Sequence, residues 1–314
     1  MVKPPSRLGF DPSAIRSWIG PYPDAEQARL LTACLGAAGS SEQAWNAWLS
    51  QTDFDHEHGA SHELAALAVQ RLGAAAGSAS IANLSRGLAR RAWTLSVLGL
   101  DAAGQIGAFC RSQALYAVAI ADLPTHGGGA RFAGQPLPVR AVDLLLPIGD
   151  LRLLASWLKG GLSGVAGAAY RNGSLPIRLH PLRRRDGTAT VPEACRPWHH
   201  PGLWVPETAA HLEVLVAMNW RRHPSGHLRW ILEIIAEFRS AEAPLVLAKA
   251  VVARSQRRST TIALREAIGV VAGMPGGDAV VPLRQLLGET PDSLQARLLH
   301  RAKTGSWPVL RSSL

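Results

Sequence analysis

The stretch Val139 to Pro147 reads Val-Arg-Ala-Val-Asp-Leu-Leu-Leu-Pro. An apolar run this short, ended by proline, suits a buried strand better than a helix. A single carboxylate, Asp143, lies inside it. Before it, Ala114 to Ala121 (ALYAVAIA) is a second apolar run of strand length, and a loop with Gly127, Gly128 and Gly129 follows. After it, Asp150 to Lys159 predicts a helix ended by Gly160 and Gly161. Two further strands are expected at Val165 to Tyr170 and Leu175 to His180, with Asn172-Gly173 between them as a hairpin signal. Residues 113–205 therefore read as a compact α/β core.

On both sides the pattern turns helical. Asp24 suits an N-cap for a helix carrying Leu30, Leu31 and Leu35, ended near Gly36 and Gly39. Ser41 precedes a segment with Trp45 and Trp48, and Ser61 one with Leu64, Leu67 and Leu72. From Ser80 to Ser112, Leu84, Leu88, Trp93, Leu95, Leu98 and Ile106 suggest a buried stripe, with Gly99 and Gly104 as expected interruptions. Helices are expected again over 207–221, 227–239, 243–257 and 260–271, and two more near the end. The expectation is an α+β protein, predominantly helical, with a small mixed sheet. Its regions are 1–112 (helical), 113–205 (α/β core) and 206–314 (helical).

Lys and Arg number 33 against 23 Asp and Glu, a formal net charge of +10, yet the arginines are scattered rather than gathered into one tract. Arg183-Arg184-Arg185 is the basic patch best placed to contact phosphate or an acidic segment. It lacks the interleaved aromatics that stack bases, which weakens a nucleic-acid reading. Three cysteines, Cys34, Cys110 and Cys195, stand far apart, so no disulfide framework is expected. The first residues lack the apolar core of a signal peptide, and no apolar run is long enough to span a bilayer. These features place the expected protein in the cytoplasm with no membrane partner. The Ala-, Arg- and Gly-rich, Lys-poor composition points to a GC-rich bacterial genome.

The order of elements, with particular residues, resembles the family of uncharacterised nucleotidyltransferases, a branch of the nucleotidyltransferase superfamily. Trp45 and Trp48 followed by Asp53 and Asp55 look like its W-x-x-W-L…D segment. Arg140-Ala141-Val142-Asp143-Leu144-Leu145-Leu146, then Gly149-Asp150-Leu151, is similar to its S-D-I-D-L-L-V…E-D-L motif. Ile177-Arg178-Leu179-His180 looks like its V-D-L-H strand. His211 to Phe238, with Leu228 to Glu233, resembles its C-terminal helices. No single motif is specific, and order and spacing carry the resemblance.

The resemblance implies Mg²⁺ and a nucleoside triphosphate, with the metal held by carboxylates at i and i+2 of one strand and a third on a neighbour. Strand side chains alternate, so such a pair shares one face. Here Asp143 fills the second position and is the one catalytic candidate, relevant only if the protein is active. Ala141 stands at the first position, Arg178 at the third, and Ala121-Asp122 where the family has Lys-Gly. The family's helical His and Asp correspond to Asn219 and Glu233. Asp122 or Asp186 would have to substitute for the missing ligands.

The expectation is a degenerate site without metal or cofactor. In it Arg178, His180 and the loop of Gly127, Gly128 and Gly129 are candidates to hold an anion, against a plain salt bridge from Arg178 to Asp143. That loop lacks the Lys-Ser/Thr of a P-loop. Zinc is not expected: Pro224, Ser225 and Gly226 break any helix between His223 and His227, and His199, His200 and Cys195 read as loop residues. The function expected is a non-catalytic pseudoenzyme that binds a protein or peptide partner, or a nucleotide without turnover. By resemblance this places it in peptide maturation. The alternatives are an active nucleotidyltransferase with an altered metal site, and a nucleic-acid-binding module.

Overall fold

The computed structural model describes residues 23–52, 59–77, 80–120, 122–124, 137–161, 165–166, 169–172, 175–181, 195–219 and 228–298. The chain is predominantly helical with one mixed sheet, an α+β architecture. It divides into two compact units, Met1–Ala89 with Leu215–Leu314, and Arg90–Val214.

In the first unit, α1 (Ala25–Leu35) begins at Asp24 with a reciprocal capping box to Gln27 and stops at Gly36. Arg71 donates to the carbonyls of Cys34 and Gly36, satisfying acceptors at the end of α1. Gly39 is not a terminator: it lies in the first turn of α2 (Ala38–Leu49). Trp45 and Trp48 stack within α2 at a 5.2 Å centroid distance, and the Trp45 indole donates to Ala76. Helix α3 spans Gly59–Leu72.

The second unit holds the sheet. Helix α4 (Ser80–Ser112) runs unbroken and contributes its latter part to this unit. The strands and helix that follow are β1 (Ala117–Ile120), β2 (Val142–Leu146) and α5 (Ile148–Gly161). Next come β3 (Val165–Ala166), β4 (Ala169–Asn172), β5 (Leu175–Pro181), β6 (Cys195–Pro197) and β7 (Leu203–Pro206). Their spatial order is β3-β4-β5-β2-β1-β7-β6. β2 is parallel to β5 and antiparallel to β1, and β1 is parallel to β7. β4 and β5 pair antiparallel with Asn172 opposite Leu175, and Gly173 lies outside the described residues.

One face of the sheet packs on helices. Ala117, Ala119, Val142, Leu144, Leu146, Ile177 and Leu179 bury against Ala102, Ala103, Ile106 and Cys110 of α4 and Leu154 and Leu158 of α5. The α4 stripe differs from the expected one, since Leu84 is 51%, Trp93 69% and Leu98 37% exposed. Ile106 and Leu95 of the expected stripe do pack in the core, beside the small residues Ala102, Ala103 and Cys110. A Cβ on Gly99 would stand 2.7 Å from Val139 Cγ1, and the Val139 amide donates to Ser96 Oγ at 2.8 Å. Gly99 therefore admits the segment entering β2 instead of interrupting the helix. Strands β6 and β7 flank His199 and His200, where sequence suggested only loop residues. They form an antiparallel hairpin whose Gly202, at φ +95°, packs on Gly107 of α4.

Three helix connections complete the chain: α6 (Thr208–Asn219), α7 (Arg229–Ser240), and the group α8 (Pro244–Arg258), α9 (Thr261–Ala272) and α10 (Val281–Glu289). Proline at the first turn of α8 and a left-handed Ser259 at its end bound that helix. Arg265 ties α9 to the end of α10 through Leu287 and Thr290 carbonyls and the Asp292 carboxylate. Among the described residues, no helix is long and apolar enough to cross a membrane.

Candidate functional site

Alternation along β2 sends Val142, Leu144 and Leu146 to the helix-covered face and Asp143 to the other. Asp143 is paired in register with Arg178 of β5 on one side and Ile120 of β1 on the other. His180 lies two residues beyond Arg178 and so shares its face. Both side chains reach the same carboxylate: His180 Nε2 is 2.8 Å from Oδ1, and Arg178 Nη1 donates to Oδ2 at 3.4 Å. Since the ionised carboxylate only accepts, Nε2 carries the hydrogen and Nδ1 is left on the other side of the ring. The Asp143 side chain is 2% exposed, against 35% for Arg178 and 34% for His180. The carboxylate is inside, and the guanidinium and imidazole that cover it face outward.

A second carboxylate sits nearby in the chain order, just past the end of β1. Asp122 is buried and bound in a fork by Arg140, with Nε to Oδ2 at 3.0 Å and Nη2 to Oδ1 at 2.7 Å. The Arg140 amide also donates to Oδ2, at 2.8 Å. A bidentate guanidinium plus a backbone donor is a strong carboxylate anchor. Asp122 thus fastens the approach to β2 to the end of β1, and its oxygens are committed. Sequence reasoning quoted Arg140 only as part of a strand motif, and nothing in spacing signals a partner 18 residues away. Ala141, two residues before Asp143, is buried and offers a methyl group.

The structure brings together Asp143, Arg178 and His180. Gly127, Gly128, Gly129, Asp186, Arg183, Arg184 and Arg185 lie outside the described residues. Glu233 is buried in the other compact unit, with Arg229 Nε 2.5 Å from its carboxylate. His199 and His200 sit in the β6–β7 turn as a ring cluster with Trp198, at centroid distances of 4.1 to 4.6 Å. The Tyr116 phenol is pushed up chiefly by burial, and further by Cys195.

Each Asp143 oxygen already accepts from one of these side chains, and Arg178 stays charged at any working pH. A Mg²⁺ ion about 5 Å from that guanidinium would be repelled by several kcal/mol at an effective dielectric near 20. Two of the three carboxylates of the implied metal site are replaced by Ala141 and Arg178, so the residues present do not fit Mg²⁺. What the cluster offers outward is chiefly the remaining N–H donors of the Arg178 guanidinium.

Comparison with known proteins finds no matching family model, no matching curated protein and no matching solved structure.

Proposed function

We propose that this chain is a nucleotidyltransferase-like protein with a degenerate metal site, acting as a non-catalytic binding or partner protein. The observation that carries the reading is the fate of its two strand-end carboxylates. Asp143 is covered by Arg178 and His180, and Asp122 by Arg140. A protein that held Mg²⁺ there would need those oxygens free and further carboxylates beside them. By resemblance, the partner is a protein or peptide in peptide maturation, acting in a bacterial cytoplasm.

The test is calorimetric titration of the full chain with ATP, GTP, CTP and UTP, each with and without Mg²⁺. No Mg²⁺-dependent binding is expected, and prolonged incubation should leave the triphosphates intact. Tight binding that requires Mg²⁺ would overturn the reading and favour an active enzyme built on Asp143. That enzyme would lose turnover on Asp143→Ala.

A further inference from the structure

The geometry points to a metal-free receptor for a phosphate group, formed by Arg178 and His180 with Asp143 as their buried counter-charge. This deepens the reading above, on which it rests, by naming the chemical class of ligand.

The argument begins with what faces out. Asp143 spends one oxygen on each side chain and is 2% exposed, so its charge is not offered to a ligand. Arg178 and His180 are each about a third exposed at the side chain. Of the five guanidinium N–H groups, one goes to Asp143 among the described residues, which leaves four donors. A site rich in donors whose acceptors are sealed beneath it selects an acceptor, and a charged one.

Geometry narrows the class. Arg178 and His180 stand at i and i+2 of β5, roughly 6.6 Å apart along the strand. Both side chains nevertheless converge on the two oxygens of one carboxylate. The outward donors are therefore the remaining guanidinium N–H groups of Arg178, and the Nδ1 of His180 joins them only when its ring carries a second proton. The guanidinium fork matches phosphate in plane and spacing, and Asp143 fixes it in advance, which lowers the ordering cost of binding. The shared chemistry is a phosphate group, whether as free phosphate or as the phosphate of a nucleotide.

Asp143 then has a role opposite to that of a metal ligand. If it held metal, removing its charge would abolish phosphate binding. If it only balances the guanidinium, removing its charge leaves that cation in excess and tightens binding.

The experiment is calorimetry in EDTA with inorganic phosphate, then AMP, on the full chain and on Arg178→Gln, Arg178→Lys and Asp143→Asn. Circular dichroism of each variant checks folding. Phosphate should bind the unaltered chain without metal. Arg178→Gln should weaken it about tenfold to a hundredfold, Arg178→Lys should weaken it less, and Asp143→Asn should tighten it severalfold. AMP binding more tightly than phosphate would name a nucleotide as the source, and equal affinity would name the phosphate alone. No phosphate binding at millimolar concentration overturns the inference. So does loss of binding in folded Asp143→Asn with none in Arg178→Lys. Neither result touches the non-catalytic reading, which fails only on Mg²⁺-dependent nucleotide binding.

Discussion

Arg178→Gln and His180→Gln, singly and together, probe whether one buried carboxylate holds the site. Asp143 is 1% exposed, and each of its oxygens has one of these partners. Hydrogen bonds to charged groups contribute about 1.5–3 kcal/mol when shielded. Arg178 and His180 are about a third exposed, so solvent screening reduces this to about 1 kcal/mol for the long Arg178 contact and about 2 for His180. In either single variant the other side chain still donates a hydrogen bond to Asp143. In the double variant the buried charge is orphaned, which costs about 3–5 kcal/mol. The double loss should therefore exceed the sum of the single losses by about 1 kcal/mol or more. Adding Asp143→Asn to the double variant removes the orphaned charge and should recover about 2 kcal/mol. Urea unfolding followed by circular dichroism and tryptophan fluorescence measures these differences, provided the slopes with urea stay equal. Strict additivity, or further loss on adding Asp143→Asn, would refute the idea that the two side chains act through one shared carboxylate.

Three other outcomes follow from the structure. Gly202→Ala places a Cβ 1.9 Å from the Gly107 carbonyl oxygen at a backbone φ of +95°; strain and overlap together should cost about 3 kcal/mol, and a melting temperature lowered by less than a few degrees would contradict the hairpin packing. Burial raises the Cys34 thiol far above its ordinary range, and burial with Asp150 pushes Cys110 up to about 12. With a thiolate fraction on the order of 10⁻⁴ or lower at pH 8, both should resist an aromatic disulfide reagent, so that half-exposed Cys195 alone reacts before unfolding and all three after it. Ala141→Asp with Arg178→Asp rebuilds three carboxylates, and saturating Mg²⁺ at a hundredfold excess over its Kd should stabilise that variant by about 2.7 kcal/mol. An unchanged melting temperature with Mg²⁺ would show that these strand positions do not converge as a metal site.

The helices and the central strands were legible from periodicity and punctuation. The Asp24 capping box, Gly36 as terminator, the Val142–Leu146 strand and the antiparallel pairing of β4 with β5 all act through residues within a few positions of one another. Such signals are local, so sequence carries them whole. Also legible was that Asp143, Arg178 and His180 bear the polar chemistry of strands that are otherwise apolar.

Tertiary structure decided the rest. Gly99 and Gly104 read as interruptions of a helix and Gly107 carried no signal, and only packing shows Gly99 and Gly107 to be close-approach points for Val139 and for the turn at Pro201. Trp93 fits a buried stripe by spacing yet is 69% exposed, because the sheet meets α4 along Ala102, Ala103, Ile106 and Cys110. The β6–β7 hairpin was hidden because Cys195–Pro197 is too short for a periodic signal. The partner of Asp122 was hidden as well, since a guanidinium reaches its carboxylate across folded space and leaves no spacing in the chain. Sequence set which charges the site contains; the pairing of β2 with β5 set which of them is sealed in and which face outward.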